Sequence, residues 1–250
     1  MGNRILFFLG AFGALSGCFG SSADVEVLST APFGASAGVA RAVTGDGNFI
    51  AIIPDIESPK DYAHLSIVRS VSATTDENGL STGVIEVEYA NGEREQVSAY
   101  FYSDVAGIYG RFGTDNPAIV VGGSAPEGLP LGASYSYDGL AVVEFLIDGE
   151  DYSETGTFAL EADFIDRTAN MSVTSDNASY SHTNMQIETS GLFDGQGGTL
   201  VVTAGSGDTR SLDLYGSFHG KNADYVTGAG VSGTRAGDDF SYIAIIGDRN

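Results

Sequence analysis

Few side chains in this sequence are of a type that does chemistry. There is one thiol, Cys18, and there are three histidines, His64, His182 and His219. A haem or metal centre needs at least one imidazole at the mouth of a pocket. His182 falls in Ser179-Tyr180-Ser181-His182-Thr183, read as a loop, and Tyr180 with His182 is the one pairing suited to ligating haem iron. A plain polar loop is the simpler reading of that stretch. His219 follows Phe218, so strand alternation puts it on the opposite face, expected to be the solvent side of the wall. Gly230-Val231-Ser232-Gly233 does not complete the Gly-x-Ser-x-Gly turn that exposes a hydrolase nucleophile, and Ser232 reads as a strand residue. Asp46-Gly47-Asn48 and Asp76-Glu77-Asn78-Gly79 offer oxygen ligands without the twelve-residue spacing and terminal Glu of a calcium loop. Turn chemistry accounts for both. Gly205-Ser206-Gly207-Asp208 reads as a loop, not a phosphate cradle. No catalytic residue and no metal site is expected, and a single Cys leaves no disulfide framework.

The charge balance narrows the partners. Over 250 residues, 11 Lys plus Arg face 33 Asp plus Glu, a net charge of −22. Nucleic-acid binding rests mainly on Lys and Arg contacts to phosphate, so that class is excluded. Attachment to anionic lipid by basic residues is excluded on the same ground. Hydrophobic residues at 42% rule out a wholly disordered acidic chain. Glycine, at 35 residues, is about twice its usual share. With 12 Tyr, 14 Phe and no Trp, this composition indicates many short strands and tight turns.

The N-terminus bears on localisation. Arg4 is the only charge before Asp24, and an apolar run from Ile5 to Leu15 follows it. This reads as a secretory signal and not as a spanning helix. The run ends in Leu15-Ser16-Gly17-Cys18, which resembles the lipobox of bacterial lipoproteins. The resemblance implies cleavage of residues 1–17 and acylation, including palmitate, of Cys18 as the first mature residue. Several acyl chains anchor a protein far more firmly than one. Phe19, and not Asp, follows the Cys, which by resemblance to the lipoprotein sorting rule favours the outer membrane. Residues 18–36 are small and polar and are expected to form the lipidated Cys and a flexible tether.

Beyond the tether the chain reads as strands and turns. Asp46-Gly47, Asn78-Gly79, Asn91-Gly92, Asp138-Gly139, Asp148-Gly149 and Asp194-Gly195 are hairpin signals. Strand-like runs cover 49–53, 65–73, 83–89, 96–102, 141–147, 157–164, 199–203 and 240–246. Residues 55–64 hold at most one helical turn, because Pro54 and Pro59 break anything longer. The stretch 122–131, rich in Gly and Pro, is expected to link a β region at 37–121 to a second at 132–250. In Thr157 to Phe164, Phe158, Leu160, Ala162 and Phe164 share one face, and Thr157, Ala159, Glu161 and Asp163 share the other. One dry and one wet face suit a sandwich or a barrel. A transmembrane barrel would reverse the pattern. It is disfavoured, because no aromatic girdle is apparent and the chain ends in Gly247-Asp248-Arg249-Asn250.

Leu214 to Gly233 is the most specific segment. Gly216, Phe218 and Gly220 fall on one face, Lys221 to Asp224 make a turn, and Gly228 and Gly230 bend the return strand. Gly216-x-Phe218-x-Gly220-x-Asn222-Ala223, followed by Gly228 and Gly233, resembles the closing hairpin of the barrel in transferrin-binding protein B and related Gram-negative surface lipoproteins. Phe158 to Phe164, with Asn170 to Val173, resembles that barrel's Asp-Phe strand pair, and Gly191-x-Phe193 to Gly198 its middle glycine hairpin. The resemblance covers about residues 130–250.

It implies an all-β chain: a small antiparallel handle-like domain at 37–121, then an eight-stranded antiparallel barrel with a filled interior at 132–250. It further implies a lipid-anchored, cell-surface-exposed, non-enzymatic binding protein of the outer membrane, monomeric and without a cofactor. The ligand class would be haem or a host or environmental protein, met by loops and handle. A single lobe fits the haem-, haemoglobin- or regulator-binding relatives better than transferrin capture. The other reading is a structural or adhesive envelope lipoprotein with no small-molecule ligand.

Overall fold

The computed structural model describes residues 24–29, 38–43, 47–53, 65–89, 91–103, 105–112, 118–130, 132, 134–232 and 240–250. Cys18, His64 and Gly233, with the signal segment, lie outside them. The described residues form two antiparallel β structures and no helix.

The first is an open, eight-stranded sheet in the order β1-β2-β3-β8-β7-β6-β5-β4. Its strands are β1 (Asp24–Ser29), β2 (Gly38–Val43), β3 (Gly47–Ile53), β4 (Leu65–Thr75), β5 (Ser81–Tyr89), β6 (Arg94–Tyr102), β7 (Ala106–Arg111) and β8 (Ala118–Ser124). Strand β1 falls inside the stretch expected to be a tether. Its sequence, Asp-Val-Glu-Val-Leu-Ser, alternates with the strand period, and it pairs with β2. Gly122 to Ser124, expected in the linker, pair in β8 with β3 and β7.

The second is a closed barrel of β9 (Ser134–Ile147), β10 (Glu150–Asp163), β11 (Thr168–Thr174), β12 (Ala178–Ile187), β13 (Leu192–Val202), β14 (Asp208–His219), β15 (Tyr225–Ser232) and β16 (Ser241–Arg249). Pairing of β16 with β9, over Ser241↔Phe145 to Arg249↔Tyr137, removes the free edges. Asp148 and Gly149, both at positive φ, make the two-residue turn between β9 and β10. Gly79 and Gly92 likewise serve the β4–β5 and β5–β6 turns. Asp138-Gly139 and Asp194-Gly195 are not turns but strand interiors. Gly139 and Gly247 lie beneath the Phe158 ring, and Gly195 faces Met185, so these glycines make room inside the barrel.

Two cores result. One fills the barrel with inward side chains from every strand, including Phe145, Phe158, Leu160, Leu200, Leu214, Phe218, Ile243 and Ile245. The other lies between the wall and the open sheet. There Val142, Leu146, Tyr215, Ala229, Tyr242, Ala244 and Ile246 on the barrel's outside meet Ile50, Tyr102, Ile108, Ile119 and Val121 of the sheet. The rest of the described outside is mostly polar, with Ser153, Glu161, Ser172, Ser181 and Thr199. The apolar exterior is therefore a one-sided patch covered by protein, not a belt around the barrel.

Candidate functional site

The closing hairpin is the barrel's keystone. Phe218, fully buried, touches three rings, Tyr137 at 5.2 Å, Phe164 at 5.0 Å and Phe193 at 5.3 Å between centroids. Phe193 lies against Gly216, where any Cβ would collide with the ring and with the Thr227 carbonyl. Gly228 similarly leaves room for Ile245 and Leu214. Gly220 and Ala223, both at positive φ, bend the turn between β14 and β15. The Ala223 carbonyl accepts a 2.7 Å bond from the Tyr137 hydroxyl, whose burial pushes its pKa up. Sequence parity put Gly216 and Phe218 on one face, and that face is the barrel's inside.

His219 is not on the solvent side. It is fully buried where barrel meets sheet. Its Nδ1 donates to the Ser124 carbonyl of β8 at 3.1 Å, which leaves Nε2 to accept from the Thr227 hydroxyl at 2.8 Å. Burial pushes its pKa down to about 4, against the raising effect of backbone bonds to Ser124 and Gly123. The parity was right, but the outward face at this point is covered by the first sheet.

Tyr180 and His182 are not in a loop. Both lie in β12. Tyr180 is an inward core residue whose ring packs on Gly198; its hydroxyl has no partner and burial raises its pKa. His182 is half-buried, and its Nε2 donates to the Gln196 carbonyl at 2.8 Å. That bond fills a gap in the β12–β13 ladder, which stops at Ser181↔Thr199 and resumes at Gln186↔Asp194. The phenol therefore faces the packed interior. The register gap and the positive φ of Asn184 carry no strong sequence signal.

The two barrel ends differ. The first carries the turns at 164–167, 188–191 and 220–224, the C-terminus and the linker from β8 to β9. Pro126 and Leu129 of that linker pack on Gly191, and Leu129 closes onto the barrel core. Beside it is an open recess of about 490 Å³, lined by Glu127, Leu129, Tyr135, Lys221, Asn222 and Arg249 among others. Arg249 lies over the Tyr135 ring, 5.0 Å from its centroid, and pairs with Asp224 at 2.6 Å. At the second end Arg210, buried, donates to the Leu146 and Phe240 carbonyls at 2.8 Å each, to Ser241 Oγ at 2.7 Å and to Asp208 at 2.9 Å. That arrangement clasps β9, β14 and the approach to β16. The hydroxyl–carboxylate bonds at the two ends, Ser190 to Glu188 at 3.1 Å and Ser206 to Asp148 at 3.0 Å, are exposed turn contacts, and no three His, Cys, Asp or Glu converge as a metal set among the described residues.

The sequence matches no protein-family model and no curated protein. The structure does match solved ones. Transferrin-binding protein B of Haemophilus parasuis, solved as a double mutant of a vaccine antigen, superposes with a TM-score of 0.52 at 10% identity over 85% of this chain and 53% of that one. The intact Ap-TbpB, with its N and C lobes, gives 0.52 and 10% over 84% and 54%. The Neisseria meningitidis isotype 1 protein gives 0.52 and 10% over 86% and 50%. The chain thus spans about half the length of these proteins. Its fold is that of a handle-and-barrel lobe of the transferrin-binding protein B type.

Proposed function

We propose that this chain is an outer-membrane surface lipoprotein, anchored through Cys18, that captures a partner protein and catalyses nothing. The observation that carries the reading is the filled barrel: aromatic rings occupy the space its wall glycines leave, so recognition falls to outer surfaces and turns. The likeness in fold to transferrin-binding proteins supports an iron-carrying protein as the partner class. Free haem is the weaker version, because Tyr180 points into the core.

The test is size-exclusion of the purified mature chain with transferrin, haemoglobin or free haem. Co-elution with an iron-carrying protein, and no change in the haem absorption spectrum without one, is expected. Failure of every protein to co-elute would remove the iron-capture version. Metabolic labelling with palmitate tests the anchor: wild type should be labelled and Cys18→Ala should not.

A further inference from the structure

We propose that the barrel end bearing the 164–167 and 220–224 turns faces the lipid surface in which the chain is anchored. The turns at 148–149, 175–177 and 203–207 then point away from it, towards partners. The inference rests on the lipoprotein reading above and adds an orientation to it.

The chain enters the fold at β1. Asp24 opens β1 and pairs with Val43; Val43 pairs with Asn48, and Asn48 with Gly123. These residues form one rung across the sheet. Three contacts fix that rung to the first barrel end. The Ser124 carbonyl accepts from His219, the last residue of β14. The Tyr102 hydroxyl donates to Asp248 at 3.1 Å, and its ring lies 4.9 Å from that of Tyr225. Val105 packs against Gly220. The chain therefore enters the sheet on the side of this end.

Chain length does the rest. From Cys18 to Asp24 a fully extended chain reaches at most about 20 Å. Strands of 14 residues, such as β9 and β10, tilted as in a barrel, make a wall about 35 Å tall. A lipid on Cys18 cannot lie beyond the far end.

The near end has the surface chemistry for an interface. Among the described residues, Ile165, at 68% exposure, exceeds the other exposed large hydrophobics, Val68, Val71 and Val201. It sits at the tip of the β10–β11 turn, where Asp163 accepts from the Ile165 and Asp166 amides at 2.8 and 3.0 Å and fixes the bend. Exposed Asp166 and Arg167 follow it. Of the five Lys and Arg after residue 132, Arg167, Lys221 and Arg249 stand at this end, while Arg210 is buried at the other. Lys221 and Arg249 are balanced there by Glu127 and Asp224, at 3.9 and 2.6 Å, so the exposed Ile165 tip is what this end offers to the lipid interface.

The test uses the full lipidated chain in vesicles of phosphatidylethanolamine with a minor share of phosphatidylglycerol. Ile165→Cys, or Asp176→Cys in the exposed β11–β12 turn, carries an environment-sensitive fluorophore, and the lipids carry a headgroup spin quencher. The label at 165 should shift to the blue and be quenched several-fold more than the label at 176. Co-flotation with equal quenching, or with stronger quenching at 176, overturns the orientation alone. Failure of the unlabelled wild type to co-float overturns the anchoring and the orientation together.

Discussion

Single residues here act through what covers them. Phe218 joins rings from β9, β13 and the β10–β11 turn, so Phe218→Ala would open a cavity at the seam of four segments. A loss of about 3–5 kcal/mol in urea unfolding is expected. His219 gives the fold a pH dependence. Its folded pKa of about 4 lies below the ordinary 6.5, so the unfolded chain binds the proton more tightly. The stability due to the neutral ring is complete above about pH 6.5 and is lost as pH falls towards 4. The stability gap between wild type and His219→Gln should therefore shrink by about 3 kcal/mol between pH 7 and pH 4, measured by urea unfolding at each pH. Arg210→Ala should cost about 2–3 kcal/mol, because it strips partners from carbonyls of β9 and the β16 approach without making a new bond.

At the scale of elements, small residues decide whether strands can coil. Gly216→Ala would drive a methyl group into the Phe193 ring and the Thr227 backbone, and about 1–3 kcal/mol should be lost, visible as a lowered Tm. How legible an element is in the sequence follows from how many of its faces are wet. In β10, the alternation of Phe158, Leu160 and Ala162 with exposed neighbours announced a half-buried strand. In β15 and β16 nearly every residue is buried, because one face fills the barrel and the other meets the sheet. Alternation vanishes there: the apolar run 240–246 marked β16, and the glycine pattern and the family resemblance marked the β14–β15 hairpin. Strand β12 was missed for the opposite reason: Ser179, Ser181 and Thr183 give its outer face the composition of a loop, and Asn184 breaks the parity. His219 was misplaced because a second sheet covers its face. Period two tells which side a residue takes, but not that another sheet lies on that side.

For the whole molecule, the covered patch makes barrel and sheet one unit. Expressed without the first sheet, residues 134–250 would bare Leu146, Tyr215, Tyr242 and Ile246 to water. Such a fragment should aggregate or bind a hydrophobic dye where the full mature chain does neither, as read by light scattering and dye fluorescence. With 33 acidic residues against 11 basic ones, the intact surface otherwise favours solubility. We propose that this lobe is held by lipid at the outside of the cell. Protease treatment of intact cells labelled with palmitate tests it directly. The full-length labelled band should disappear while a periplasmic marker survives. A band that carries no label, or one that stays intact until the outer membrane is opened, would contradict the account.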